Sequence, residues 1–146
     1  MRLEELTTKI KDTNQTIKSL LQSVGYEYEE YLESVQIDEG NPDEVQLMTE
    51  YMKILKRLDE VVGIRDYIHQ PIANEGTLHM NQNGRYEFDG IELTCGSPVE
   101  ILVQDSEDDP PEWVASRIEA DNGYYFVARR RMQLEGKRAR RRERKW

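Results

Sequence analysis

The stretch IELTCGSPVEILVQDSEDDPPEWVASRIEADNGYYFV, residues 91–127, decides the fold. Val99, Ile101 and Val103 alternate with Glu100, Leu102 and Gln104, which is the period of a half-buried strand. Trp113 to Ile118 is a second β-type run. Tyr124 to Val127 is a third, entered through Asn122-Gly123, a pair that tolerates positive φ and favours a hairpin turn. Pro98 opens the first of these runs, where its missing N–H costs little. Three such runs predict a small antiparallel β-unit.

Upstream, Gly76 to Gly90 predicts a β-hairpin. Leu78 and Met80 lie on one arm, Tyr86 and Phe88 on the other, and the turn falls at Asn83-Gly84. Asp89-Gly90 makes the next turn, leading to Ile91 and Leu93. Pro71 to Gly76 reads as a connection. Downstream, Leu134 to Arg142 is expected to form one last strand before residues 143–146 fray. The count predicts a five- or six-stranded SH3-like barrel over residues 76–142.

Further upstream the apolar period changes. Leu3, Leu6, Ile10, Ile17, Leu20, Val24, Tyr28, Tyr31 and Val35 recur at threes, fours and one seven, so a single helix is expected from residue 2 to about 36. Thr13 interrupts the stripe and Gly25 is its weak point. Asn41 is suited to an N-cap and Pro42 to the first helical position, with Asp43 and Glu44 where the helix dipole favours carboxylates. A second helix then runs to about Ile68, with Val45, Met48, Met52, Leu55, Leu58 and Val62 as its stripe. The expected class is α+β, an antiparallel helical hairpin over residues 1–70 followed by the barrel and a basic tail end at 143–146. Ile54, Val61 and Ile64 fall off the seam, so the hairpin either packs them on the barrel or presents them to another chain, a second copy in a homodimer among the alternatives.

The chain carries 29 acidic and 20 basic side chains. They are unevenly placed: residues 1–128 hold 27 acids and 10 bases, residues 129–146 hold 2 acids and 10 bases. Blocks of that kind tend to be interaction surfaces. Arg129, Arg130, Arg131, Lys137, Arg138, Arg140, Arg141 and Arg142 form a candidate surface for nucleic acid or an acidic partner, since such density is what phosphate neutralisation needs. The alternative is a solubilising tail that pairs with the acidic body. Glu27, Glu29, Glu30 and Glu33, with Asp105, Glu107, Asp108 and Asp109 of an acidic loop, form a candidate face for a basic protein channel. A solvated surface is the plainer reading.

No catalytic constellation emerges. His69 and His79 have no cysteine or carboxylate pair at ligand spacing, so no metal is expected. Cys95 lacks a base and an orienting partner and reads as a buried structural thiol. A single cysteine permits no internal disulfide and fits a cytoplasmic setting. No apolar run reaches the roughly 18 residues a membrane span needs. The 105–109 acids lack the central glycine and distal glutamate of a calcium loop. Trp113, Tyr124 and Phe126 read either as barrel core or as a stacking platform for bases. Arg117 and Glu119 read as a structural ion pair.

Cys95-Gly96 before a strand, Trp113 with Arg117-Ile118-Glu119, the pair Tyr124-Tyr125, and Leu134 with Gly136 resemble an uncharacterised family of small SH3-like domains. These occur in Gram-positive bacteria, often on mobile elements. The resemblance spans residues 76–142 and implies a fold but no reaction and no cofactor. Relatives alternate apolar and basic residues in the final strand, whereas here it is nearly all basic. Mobile elements often carry small acidic inhibitors of host defence. The expected function is therefore a non-enzymatic inhibitor of the anti-CRISPR or anti-restriction type, bound to a nucleic-acid-handling protein. The alternative is an accessory protein binding DNA or RNA through the barrel and its arginines.

Overall fold

The computed structural model describes residues 1–27, 31–32 and 35–143, and the chain divides into two compact units, Met1–His69 and Gln70–Trp146. In the first unit α1 spans Leu3–Ser23 and α2 spans Pro42–Ile68. Two-residue strands β1 (Tyr26–Glu27) and β2 (Tyr31–Leu32) pair antiparallel between them. The expected single helix from residue 2 to 36 is thus corrected: it stops at Ser23. Gly25 adopts φ 65°, and the Val24 and Gly25 N–H groups donate to the Leu20 and Gln22 carbonyls. That is the left-handed glycine cap which closes a helix and uses its last carbonyls. The second helix begins as the sequence implies, the Asn41 side chain accepting from Asp43 N–H at 3.0 Å ahead of Pro42.

The helices pack on each other, but few side chains are fully buried there: Leu21, Leu55 and the polar Asn14. Asn14 Nδ2 reaches Asp66 Oδ1 at 3.5 Å, and Asp66 also holds Lys18 at 2.9 Å. Burial pushes the Asp66 carboxyl up, yet hydrogen bonds and charge from Lys18 and Arg65 outweigh it and hold the group below the usual carboxylate range. The seam therefore carries a polar cluster in place of the apolar residue that the stripe leads one to expect near Thr13.

The second unit is built from β3 (Ile72–Thr77), β4 (His79–Met80), β5 (Tyr86–Phe88), β6 (Ile91–Glu92), β7 (Pro98–Val103), β8 (Glu112–Ala120), β9 (Tyr124–Phe126) and β10 (Arg138–Arg142). They form two open antiparallel sheets, ordered β3-β10-β7-β8-β9 and β4-β5-β6. A closed barrel is not seen among the described strands. Asn83-Gly84, Asp89-Gly90 and Asn122-Gly123 do make the three hairpin turns, with φ positive at Asp89, Asn122 and all three glycines. Both sheets cover one core of Leu78, Phe88, Leu93, Val99, Ile101, Val103, Ile118, Phe126, Leu134 and Ala139.

Two corrections concern the sheet's edge. Residues 72–76, expected within a Pro71–Gly76 connection, belong to the edge strand β3. The arginine strand, expected within Leu134–Arg142 as the last strand and so an edge, lies inside the sheet, with β3 on one side and β7 on the other. Ladder hydrogen bonds use its backbone on both sides, and the core face needs only one small side chain, Ala139.

Candidate functional site

Side chains alternate across a strand, so Ala139 on the core face puts Arg140 on the outer face, level with Glu100 of β7. Glu100 was expected on a half-exposed position; it is 3% exposed. Its Oε1 accepts from Arg140 Nε at 2.8 Å and its Oε2 from Arg142 Nε at 2.6 Å. The Arg140 guanidinium lies 4.2 Å from the centre of the Trp113 ring, and Arg142 Nη1 also donates to the Gln70 carbonyl at 2.9 Å. Two arginines, one of them stacked on an indole, thus neutralise the carboxylate, which lets it be buried. Trp113 is accordingly not core, whereas Phe126 is fully buried and Tyr124 packs against it.

Four other candidate arginines are also engaged. Arg129 makes a two-pronged contact with Asp105, Nε to Oδ1 at 2.7 Å and Nη2 to Oδ2 at 2.9 Å. The hydrogen bond from Arg129 holds the Asp105 carboxyl below the usual range, and the same contact raises the arginine. Asp105 and Arg129, drawn from opposite candidate surfaces, are therefore each other's partner. Arg130 bonds Asp121 at 2.9 Å with its guanidinium over the Tyr125 ring. Arg138 lies 3.6 Å from Glu75, and Arg141 donates to Asn74 Oδ1 at 3.0 Å. Among the described residues, Arg131 and Lys137 have no ion-pair partner.

Of the acidic candidates, Asp109 accepts from Ser106 Oγ at 3.0 Å and closes the loop tip. Glu107 and Asp108 are exposed there. Glu29, Glu30 and Glu33 lie outside the described residues, as does the side chain of Glu27. Arg117 and Glu119 pair at 3.0 Å, as their spacing implies. Cys95 is exposed in the turn before β7, which corrects the expectation of a buried thiol. Among the described residues no group of three or more His, Cys, Asp or Glu side chains is placed to hold a metal ion, and no helix is long and apolar enough to cross a membrane.

The reading of residues alone missed three carboxylates, Glu100 and two others. Glu135 accepts from His79 Nδ1 at 2.8 Å and from the Met80 N–H at 2.9 Å, and His79 first, then Met80, keeps it below its usual range. Glu92 gathers Arg85, Asn81 and Asn83 around the first hairpin turn, and Arg85 foremost lowers it. Glu100 did carry a signal: it is the one polar side chain between Val99 and Val103, where flanking apolar residues on both parities mark a strand covered on both faces.

Divided by unit, the basic C-terminal block is nearly balanced by acids of its own unit, and the excess of acid falls in the first. The second unit holds 14 acids and 12 bases, the first 15 acids and 8 bases. No curated protein and no solved structure matches the chain. Residues 76–141, the β-unit from the end of β3 almost to the end of β10, match a domain of unknown function, DUF5348.

Proposed function

We propose that this is a non-enzymatic protein-binding protein, and more narrowly a small inhibitor of a nucleic-acid-handling defence enzyme of the CRISPR or restriction type, carried on a mobile element. The observation that supports this reading best is the pairing of Arg129, Arg130, Arg138, Arg140 and Arg142 with carboxylates of their own unit. Phosphate binding draws its strength from cations that displace counterions. An arginine already neutralised by a carboxylate gains little from a phosphate. The excess negative charge lies in the first unit, and six acids fall between residues 27 and 39 alone. A basic nucleic-acid channel on another protein is the surface that such charge fits, since complementary potentials speed encounter and fix register. Two small antiparallel sheets over one core also support reading the second unit as SH3-like.

Direct binding of DNA or RNA is the second reading, and Arg131 and Lys137 are the observation in its favour. The test is capture of host proteins from a bacterial lysate on the full chain, with and without nuclease, beside anisotropy titration with random-sequence DNA. Nuclease-resistant capture of a DNA- or RNA-processing enzyme, which the chain then inhibits, is expected. Binding to the DNA at micromolar or tighter Kd in physiological salt, against the roughly 10⁻⁴–10⁻⁶ M typical of non-specific binders, overturns the reading.

A further inference from the structure

The α2 helix carries two apolar rows. Met48, Met52, Leu55 and Val62 are its buried or half-buried members. A second row, Leu47, Ile54, Val61 and Ile68, repeats every seven residues, and its members are evenly exposed at 50%, 51%, 47% and 51%. Exposed Tyr51 and half-buried Leu58, the latter shared with the first row, fill the four-residue steps between its first three members. Alternating steps of four and three along one side of a helix give the seam of a coiled coil, here about 21 Å long from Leu47 to Val61 at ~1.5 Å per residue. Such a seam is filled by knobs from a second helix with the same repeat.

We infer that this row is a contact between two copies of the chain, their α2 helices antiparallel and centred on Ile54. Its three members Leu47, Ile54 and Val61 are complementary to themselves when turned end for end about Ile54, while Ile68 lies beyond the overlap of the two helices. Leu47 then faces the partner's Val61, and Ile54 faces the partner's Ile54. Glu50 and Arg57 lie on one flank, each three residues beyond a member of the row. In an antiparallel pair a flank meets the same flank of the other helix, so Glu50 comes beside the partner's Arg57 and Arg57 beside the partner's Glu50. Tyr51 and Leu58 do the same on the opposite flank, an aromatic against an aliphatic, twice. The helices add little net charge of their own, α1 carrying three acids and three bases and α2 six acids and four bases, so most of the first unit's excess acid lies outside them. A two-fold contact requires this kind of self-complementarity. The inference goes beyond the inhibitor reading, and no nucleic-acid enzyme enters its test.

The test is sedimentation equilibrium of the full chain, with helical circular dichroism as the folding control. Ile54, Glu50 and Arg57 are exposed, so their substitution leaves the hairpin's own packing in place. The wild type is expected to be a dimer. Ile54→Glu places two carboxylates at the centre and is expected to raise the dimer Kd by ~100-fold or more. Glu50→Arg sets two arginine pairs against each other and is expected to weaken it ~tenfold, while the double exchange Glu50→Arg with Arg57→Glu returns it to within about twofold of wild type. A monomeric wild type at about 100 µM overturns the proposal and leaves the row to a foreign helix. So does a dimer indifferent to Ile54→Glu, whose contact lies elsewhere. Failure of the double exchange to recover overturns the antiparallel register.

Discussion

The carboxylate of Glu100 lies level with Arg140 across the β7–β10 ladder and accepts its Nε at 2.8 Å while almost wholly shielded from water. Arg142 takes the other oxygen at 2.6 Å, and the two arginine side chains are 18% and 14% exposed. One anion thus serves two cations that hold an arginine-rich strand inside a sheet.

Removing that anion leaves two poorly hydrated guanidinium groups on one face without their shared counter-charge. Glu100→Ala is expected to destabilise the second unit by about 3 kcal/mol, the lower end for breaking a buried pair, because the arginines keep some access to water. Arg140→Ala is expected to cost less, since Arg142 still neutralises the carboxylate. Urea unfolding of each variant checks the order. A loss below about 1 kcal/mol for Glu100→Ala, the scale of an exposed pair, contradicts the assignment.

The local devices of this fold were legible in the sequence, and its long-range ones were not. Asn83-Gly84, Asp89-Gly90 and Asn122-Gly123 announce hairpin turns because positive φ is a property of those residues themselves. Asn41-Pro42 announces a helix start for the same kind of reason. The position of Arg138–Arg142 depends instead on Glu100, some forty residues away, and on β3, more than sixty away. Five residues with four arginines read as a last strand with a surface for phosphate or as a solubilising tail, and their place between two strands is not visible until their counter-ions are known. Likewise the acidic loop read as a free surface because Asp105 and Arg129 meet only through the sheet. The helix end at Gly25 was visible as a weak point, but the apolar spacing beyond it favoured continuation.

A second prediction concerns Asn14, buried in the helical seam with its Oδ1 unpartnered among the described residues. Its one contact, to Asp66 at 3.5 Å, is at the outer limit of a hydrogen bond. An unpaired buried amide oxygen costs roughly 1–3 kcal/mol. Asn14→Leu is therefore expected to stabilise the helical unit by about 1 kcal/mol, after allowance for the loss to Asp66. Thermal unfolding followed at the helical band measures it, and an unchanged or lowered melting temperature refutes it.

The Asp105–Arg129 contact gives a pH signature. Arg129 keeps the folded carboxyl below its unfolded value, so the contact contributes stability that is complete above the unfolded pKa of about 3.9. That contribution is lost as pH falls through the still lower folded value. A carboxyl-carbon NMR titration is expected to place Asp105 below the ordinary aspartate midpoint, and Arg129→Gln to return it upward. An ordinary midpoint in the wild type refutes the contact in solution.

The last prediction separates a structural strand from a binding tail. Were residues 137–146 a tail, their deletion would leave the β-unit folded and change only its ligands. In this sheet β10 bonds β3 and β7 at once, Ala139 belongs to the core, and the Leu78 N–H donates to the Lys137 carbonyl at 2.8 Å. Deletion therefore unzips two ladders and leaves Glu100 without either arginine. The truncated chain is expected to lose the cooperative unfolding of its second unit and its dispersed NMR amide signals there. Charge reversal at Arg131 and Lys137 is expected to leave both intact, because neither forms an ion pair among the described residues. Whatever affinity for polyanions the protein has should fall with those two reversals, and its salt dependence with it. A truncated chain that unfolds cooperatively with the wild-type midpoint would show that the arginine strand is dispensable and return it to the role of a tail.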